Sequence, residues 1–356
     1  MNTLPPSILP DDLETKAILK ALTKARAALA ELKGVASTIP NEQILIDTLS
    51  LQEAKDSSAV ENIVTTHDEL YKSSQLELKF SSAAAKEVHA YADALKFAFN
   101  EVKDKGFIQV SLIAEVQAII EDNTAGIRKL PGTELKNDLT GEVVYTPPQH
   151  YDDIQDLLKN LEQFINDSDH YGVDPLVKMA LIHHQFESIH PFYDGNGRTG
   201  RILNILYLIK EGLLSLPILY LSKYIIQYRA DYYRLLQAVR ETGNWEAWIV
   251  YMLEAVELTS LDTIKTIKEI KKLMMVYKNR IRSEESKMYS QDLINSLFKH
   301  PYTKVSFLMK ELQVTRATAW KYLEKLAGMG LLEKIKHGKS NYYINMPLYE
   351  VLRGGS

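Results

Sequence analysis

Apolar and polar residues in this chain follow a helical period over most of its length. Between residues 11 and 33, Leu13, Ile18, Leu19, Leu22, Ala25 and Leu29 fall on one helix face; Pro40 and Asn41 then open a second stretch carried by Ile44, Leu45, Leu49 and Leu51. The same period predicts helices over 83–99, 108–120, 151–165 and 175–188, then over 222–241 and through 245–277. An apolar run at 202–206 predicts another, starting near Arg198. Between 124 and 148 the period fails. There Gly132, Asn137, Asp138 and Gly141 are turn formers and Val143-Val144-Tyr145 has strand character, so a β-hairpin is expected. The charged run 278–285 reads as a linker. Beyond it come short helices at 292–298, 305–312 and 315–329, with Thr315 as N-cap, and strands at 331–336 and 342–344 around the turn 337–339.

Composition narrows the class. Of 356 residues, 46% are hydrophobic and 25% charged, which suits two or three globular domains. Cysteine is absent, which excludes disulfides and thiolate metal sites. Met1-Asn2-Thr3-Leu4-Pro5-Pro6 has no basic region followed by an apolar run, and no stretch approaches a membrane span, so a cytoplasmic protein without a membrane partner is expected. Charge is uneven: residues 286–356 hold 11 Lys and Arg against 5 Asp and Glu, and the remainder holds 31 against 41. A separate C-terminal module with an anionic partner is the expectation.

The chemistry concentrates in His190-Pro191-Phe192-Tyr193-Asp194-Gly195-Asn196-Gly197-Arg198-Thr199-Gly200-Arg201. His190 titrates nearest neutrality and can take a proton from an attacking hydroxyl. Asp194 is a hard carboxylate of the kind that holds Mg²⁺ against phosphates. Gly195-Asn196-Gly197 lets backbone N–H groups approach an anion, and the following helix aims its N-terminus at the same point. Arg198 and Arg201, three apart, share a helix face and can hold two phosphates. Phe192 is expected to bury its ring and fix the entry of His190. His183 and His184 are adjacent, so they leave a helix on different sides and do not form a metal pair with His190.

This stretch resembles the Fic motif, H-P-F-x-[DE]-G-N-G-R-x-x-R, at every defined position, and Ser57-Ser58-Ala59-Val60-Glu61-Asn62 is similar to the inhibitory pattern [ST]-x-x-x-E-[GN] of the same family. The resemblance implies a mainly α protein: a Fic-type helical core with a β-hairpin flap and a C-terminal winged helix-turn-helix domain. Its expected parts are an N-terminal helical region over 1–110 carrying the inhibitory motif, a Fic core over 111–280 with flap (127–146) and motif (190–201), and a winged helix over 286–350. The implied activity is transfer of AMP from ATP to a Ser, Thr or Tyr hydroxyl of a protein, with release of pyrophosphate. By that analogy His190 is the base and Asp194 holds Mg²⁺. Asn196 and the Gly195 and Gly197 amides form the anion hole, Arg198 meets the β-phosphate and Arg201 the γ-phosphate. Tyr233 and Leu236 border the adenine. Glu61, on one face with Ser57, inhibits through a bidentate pair with Arg201.

The implied partners are a target protein bound along the flap, the chain itself through self-modification or as a homodimer, and a DNA or protein partner for the winged helix. For DNA, Arg316, Lys321 and Lys325 would face the groove, with Lys336 and Lys339 on the wing. Two alternatives stand beside transfer: hydrolytic removal of AMP in the same site, and a DNA-binding regulator whose core only senses nucleotide.

Overall fold

A computed structural model describes residues 13–73, 82–136, 140–167, 172–337 and 340–354. Helix α1 (Lys16–Ala36) starts behind Thr15, whose hydroxyl accepts from Ile18 N, and α2 (Glu42–Val60) starts behind Asn41, which accepts from Gln43 N. A short α3 (His67–Ser73) follows, then α4 (Ala83–Lys105), capped by Ser82 and ended by Gly106 at φ 76°, and α5 (Val110–Glu121). Strands β1 (Leu135–Lys136) and β2 (Val143–Tyr145) pair antiparallel as the expected hairpin; Asn137 and Asp138, two of its turn residues, lie outside the described residues.

Helices α6 (Tyr151–Asn166), α7 (Pro175–Ile189) and α8 (Asn196–Lys210) come next. Every residue of α7 from Leu176 onward is buried, and α8 is buried from Arg198 to Leu208, so this pair is the centre of the molecule. Around it α4 and α5 flank α8, α2 lies on α4, and α1 lies along α11 (Glu246–Glu284). The Trp248 indole of α11 is fully buried and donates to Ala180 O of α7 at 2.8 Å.

Two expectations fail between α8 and the C-terminus. The single helix predicted over 222–241 is two, α9 (Leu221–Gln227) and α10 (Arg229–Thr242), broken at Tyr228 (φ −117°, ψ 39°). No Gly or Pro marks the break, so the period alone ran through it. The linker predicted at 278–285 is helical almost to its end, because α11 continues to Glu284. Its Tyr277 and Ile281 are buried against the C-terminal part and Arg280 pairs with Glu284 one turn on, so three polar faces masked one apolar one.

The C-terminal part comprises α12 (Gln291–Lys299), β3 (Tyr302–Thr303), α13 (Val305–Leu312), α14 (Arg316–Gly328), β4 (Glu333–His337), β5 (Ser340–Ile344) and α15 (Met346–Arg353). The strand expected from 331 begins at Glu333, and α3, β3 and α15 carried no period long enough to read. The sheet order is β3-β5-β4, all antiparallel. On α14, Arg316, Trp320 and Lys321 are exposed, and the half-buried Lys325 pairs with Glu285 at 2.5 Å. Lys336 is exposed, and Lys339 lies outside the described residues. The Tyr71 ring of α3 stacks on Tyr302, which donates to Asp68 at 2.5 Å, so the C-terminal part is docked on the N-terminal helices. Among the described residues no helix is long and apolar enough to cross a membrane.

Candidate active site

Helix α7 stops at Ile189 because His190 turns left-handed (φ 47°, ψ 59°), with its N–H still closing on Phe186 O at 3.0 Å. The chain re-enters a helix at Asn196, two residues earlier than its apolar run suggested, after Gly195 at φ 78°. Asn196 closes the loop from both sides: its Oδ1 accepts from Phe192 N at 2.9 Å and its Nδ2 donates to Phe192 O at 2.8 Å. The Asn196 side chain thus braces the loop through Oδ1 and one Nδ2–H, and its amide carries a second N–H beyond these two bonds. What Asn196, Gly197 and Arg198 offer an anion is the N–H groups of the first helical turn, which have no intrahelical acceptor. The Phe192 ring is buried beneath them, as its apolar character required.

Charge is arranged around this cradle. Burial, then the guanidinium groups of Arg128 and Arg240, lower the His190 imidazole to about 4, so it is neutral at pH 7 and keeps a lone pair for a proton. Asp194 is exposed; its Oδ1 accepts from Gly195 N at 2.7 Å and its backbone O from Gln117 Nε2 at 3.1 Å. Among the described residues no three His, Asp or Glu side chains gather as a metal cluster. One outward carboxylate beside a phosphate cradle fits Mg²⁺, which takes its remaining ligands from phosphate oxygens and water.

Both motif arginines are buried and already paired. Arg198 Nη1 meets Glu87 at 2.9 Å and its Nη2 meets Glu121 at 2.6 Å. Arg201 donates through Nε to Ser57 Oγ at 2.8 Å and through Nη2 to Ser57 O and Glu61 Oε1, each at 2.9 Å. The expected bidentate pair is thus one Glu61 oxygen supplemented by two oxygens of Ser57. Both carboxylates press on the cradle glycines: a Cβ on Gly197 would strike Glu61 Oε1, and one on Gly195 would stand 2.6 Å from Glu121 Oε1.

Glu61 is delivered there by the end of α2. Asn62 is left-handed (φ 63°), and its N–H and that of Ile63 bond back to Ala59 O and Ser58 O at 3.1 and 3.0 Å, the closing pattern of a Schellman end. This explains a Gly or Asn after the glutamate: the position needs a residue that tolerates positive φ. Arg229 Nη1 then holds Asn62 Oδ1 at 2.7 Å.

His183 and His184 diverge as expected, His183 to Tyr232 Oη and Asn204 and His184 to Leu236 O. Tyr232, Tyr233 and Leu236 do not share one environment: Tyr232 and Leu236 are buried, whereas Tyr233 is 44% exposed beneath the Arg229 guanidinium. Four residues had no readable signal: Glu87, Glu121, Arg128 and Glu187. The Glu187 carboxyl, pushed up to about 7 by burial against the pull of Arg201, has one buried oxygen without a hydrogen-bond partner. Their partners are distant in sequence or, for Glu187, across a helix contact, so no local pattern marked them.

Comparison with known proteins finds three matched regions. Residues 19–100 match the Fic/DOC family N-terminal region, 107–208 the Fic/DOC family, and 273–348 the C-terminal domain of the SoFic-like protein adenylyltransferases. Protein adenylyltransferase fic-1 of Caenorhabditis elegans is 31% identical over 101 residues, covering 28% of this chain and 18% of that protein. A probable protein adenylyltransferase of Aquifex aeolicus is 36% identical over 81 residues, 23% of this chain and 24% of that one. The chain therefore spans less than a quarter of either relative. Among solved structures, a Fic family protein from Desulfovibrio desulfuricans G20 superposes with TM-score 0.57 at 18% identity, covering 93% of this chain and 96% of that one. A fragment of Fic-1 from C. elegans superposes with TM-score 0.54 at 21% identity over 70% and 73%. By its motif, its fold and these three matched regions, the chain belongs to the Fic/DOC family.

Proposed function

We propose that this protein is an auto-inhibited protein adenylyltransferase that moves AMP from ATP to a hydroxyl of a target protein. The target oxygen attacks the α-phosphorus, the bond from that phosphorus to the bridging oxygen breaks, and pyrophosphate leaves. The hydroxyl proton passes to His190, which is neutral at pH 7 for the reasons given above. The first-turn N–H groups of α8 face the phosphates, and catalysis is chiefly positioning and charge neutralisation. Mg²⁺ held by Asp194 and the phosphates would supply further neutralisation. Arg198 and Arg201 are the candidate cations for the β- and γ-phosphates, and Tyr233 and Leu236 remain candidate base contacts.

The observation that carries this reading is Arg201, buried and holding Glu61 and Ser57 at the mouth of the cradle. A carboxylate on that guanidinium occupies the direction in which a terminal phosphate would approach. The helices α12 to α14 followed by the β4–β5 hairpin support a winged helix as the C-terminal domain.

The test is incubation of purified wild type, Glu61→Gly and His190→Ala with Mg²⁺ and ATP labelled on the α-phosphate, in a lysate. Label on protein is expected to rise in Glu61→Gly and vanish in His190→Ala. Label that ignores both substitutions would sink the proposal. A chain that instead strips label from modified protein, and loses this with Glu61, would be running the removal reaction.

A further inference from the structure

We propose that Arg128 is a positioning residue that fixes the main chain of His190 to both feet of the β1–β2 hairpin, so that a target paired along that hairpin is presented at a set distance from the base. The inference rests on the adenylyl-transfer reading. Arg128 has no exposed surface. Its Nε donates to His190 O at 2.8 Å, its Nη2 reaches Pro148 O and, at 3.4 Å, Ile189 O, and its own N–H donates to Pro191 O at 2.9 Å. Residues 128 and 148 are the two ends of the segment that carries the hairpin, so one side chain joins both ends to the catalytic turn.

The guanidinium has a reason to be buried without a carboxylate. It sits at the C-terminus of α7, where outward carbonyls and the helix dipole supply negative potential. It also holds a backbone that needs holding: His190 is left-handed and precedes a proline, a combination that is sparsely populated and persists only where neighbours enforce it. Other ties run the same way. Tyr193 Oη accepts from Lys129 N and Leu130 N at 3.0 and 3.2 Å, and Tyr145 of β2 donates to Ser188 O at 3.0 Å under the Arg240 guanidinium. Strand addition along a hairpin positions a target through backbone alone, so the hairpin's registration on His190 is what sets the reacting distance.

Arg128 also acts on the proton affinity of His190. The charged groups facing that imidazole are Arg128 at the hairpin foot and Arg240 on α10, which lower it, and Glu61 after α2 and Asp194 in the loop, which raise it.

The experiment uses the full chain carrying Glu61→Gly, with Arg128→Met and Arg128→Lys added separately. Three quantities are read: turnover on protein with labelled ATP, ATP affinity by calorimetry, and His190 titration by NMR of its ring carbon. Arg128→Met is expected to lower turnover at least about tenfold, leave ATP affinity within about twofold because no phosphate contact is lost, and move the His190 midpoint upward toward the free value. Arg128→Lys keeps the charge but cannot bridge the carbonyls; it should lose turnover while the His190 midpoint stays low. Should Arg128→Met not fold, the lysine variant decides alone. Unchanged turnover, or parallel loss of turnover and ATP affinity, would overturn the proposal. If the Glu61→Gly parent transfers no label, the adenylyl-transfer reading fails; the His190 titration still tests Arg128, with an unmoved midpoint in Arg128→Met counting against it.

Discussion

Asn62 is the residue on which the Glu61 contact turns. A left-handed backbone costs an ordinary residue about 1–2 kcal/mol, and a β-branched one more. Asn62→Val is therefore expected to unwind the end of α2 and let Glu61 leave Arg201, raising label transfer toward that of Glu61→Gly. Asn62→Gly removes the Arg229 bond but keeps the turn, and should stay near wild type; a glycine variant as active as Asn62→Val would mean that the Arg229 bond, not the turn, holds Glu61. At this scale the motif residues were legible because His190, Asp194, Arg198 and Arg201 sit within twelve positions of one another and carry their chemistry in their types. Glu121 meets Arg198 across 77 residues and Arg128 meets His190 across 62, and nothing local distinguishes them from surface charges.

Among the elements, α2 is anchored by more than its apolar face. Thr48, Ser50, Glu53, Ser57 and Ser58 are all buried, which is why a reading of Ile44, Leu45, Leu49 and Leu51 alone understated how deeply it lies. Glu53 accepts from Ser222 N and Tyr91 Oη, each at 3.2 Å, and bonds Ser222 Oγ, tying α2 to α9 and α4. Burial, opposed by the Ser222 bonds, pushes its carboxyl up to about 8. The folded protein thus keeps a proton that the unfolded chain releases near 4.5, so this stabilisation is full below about 4.5 and is lost as pH rises through about 8. Glu187 adds a slope of the same sign up to about 7. Glu53→Gln, a neutral isostere, should flatten the decline in melting temperature between pH 5 and 8, a range set by those shifts. An unchanged slope would show that Glu53 ionises freely in the fold.

Across the whole molecule the opposite limb comes from histidines. Burial first of all lowers His183, His184 and His300 to about 3 and His67 and His190 to about 4. Each stays neutral in the fold while the unfolded chain takes up a proton near 6.5. Stability is therefore full above about 6.5 and falls as pH drops toward 4, by up to about 1.4 kcal/mol per pH unit for each deeply buried ring, with a smaller share from the solvent-screened His67. Thermal unfolding followed by circular dichroism is expected to show steep loss over that interval, on both sides of the molecule, since His300 belongs to the C-terminal part and His183 to the central pair. A flat acid profile would mean these rings are protonated in place. The continuous α11 makes that response shared: it runs from the core beside α7 into the C-terminal part, across the polar run 278–285 that reads as a linker in the sequence.

The sequence by itself determined the helical character of the chain, the hairpin, the succession of α12, α13, α14 and the β4–β5 pair, and the identity of the motif, because each is written in neighbouring residues through period, turn chemistry or residue type. Tertiary structure alone decided which carboxylates hold the two arginines, that Asn196 braces the loop at Phe192, that Ser57 shares Arg201 with Glu61, and that Arg128 holds the His190 carbonyl. Those contacts join positions from four to more than one hundred residues apart, and only packing around α7 and α8 removes the water that would otherwise satisfy each group on its own.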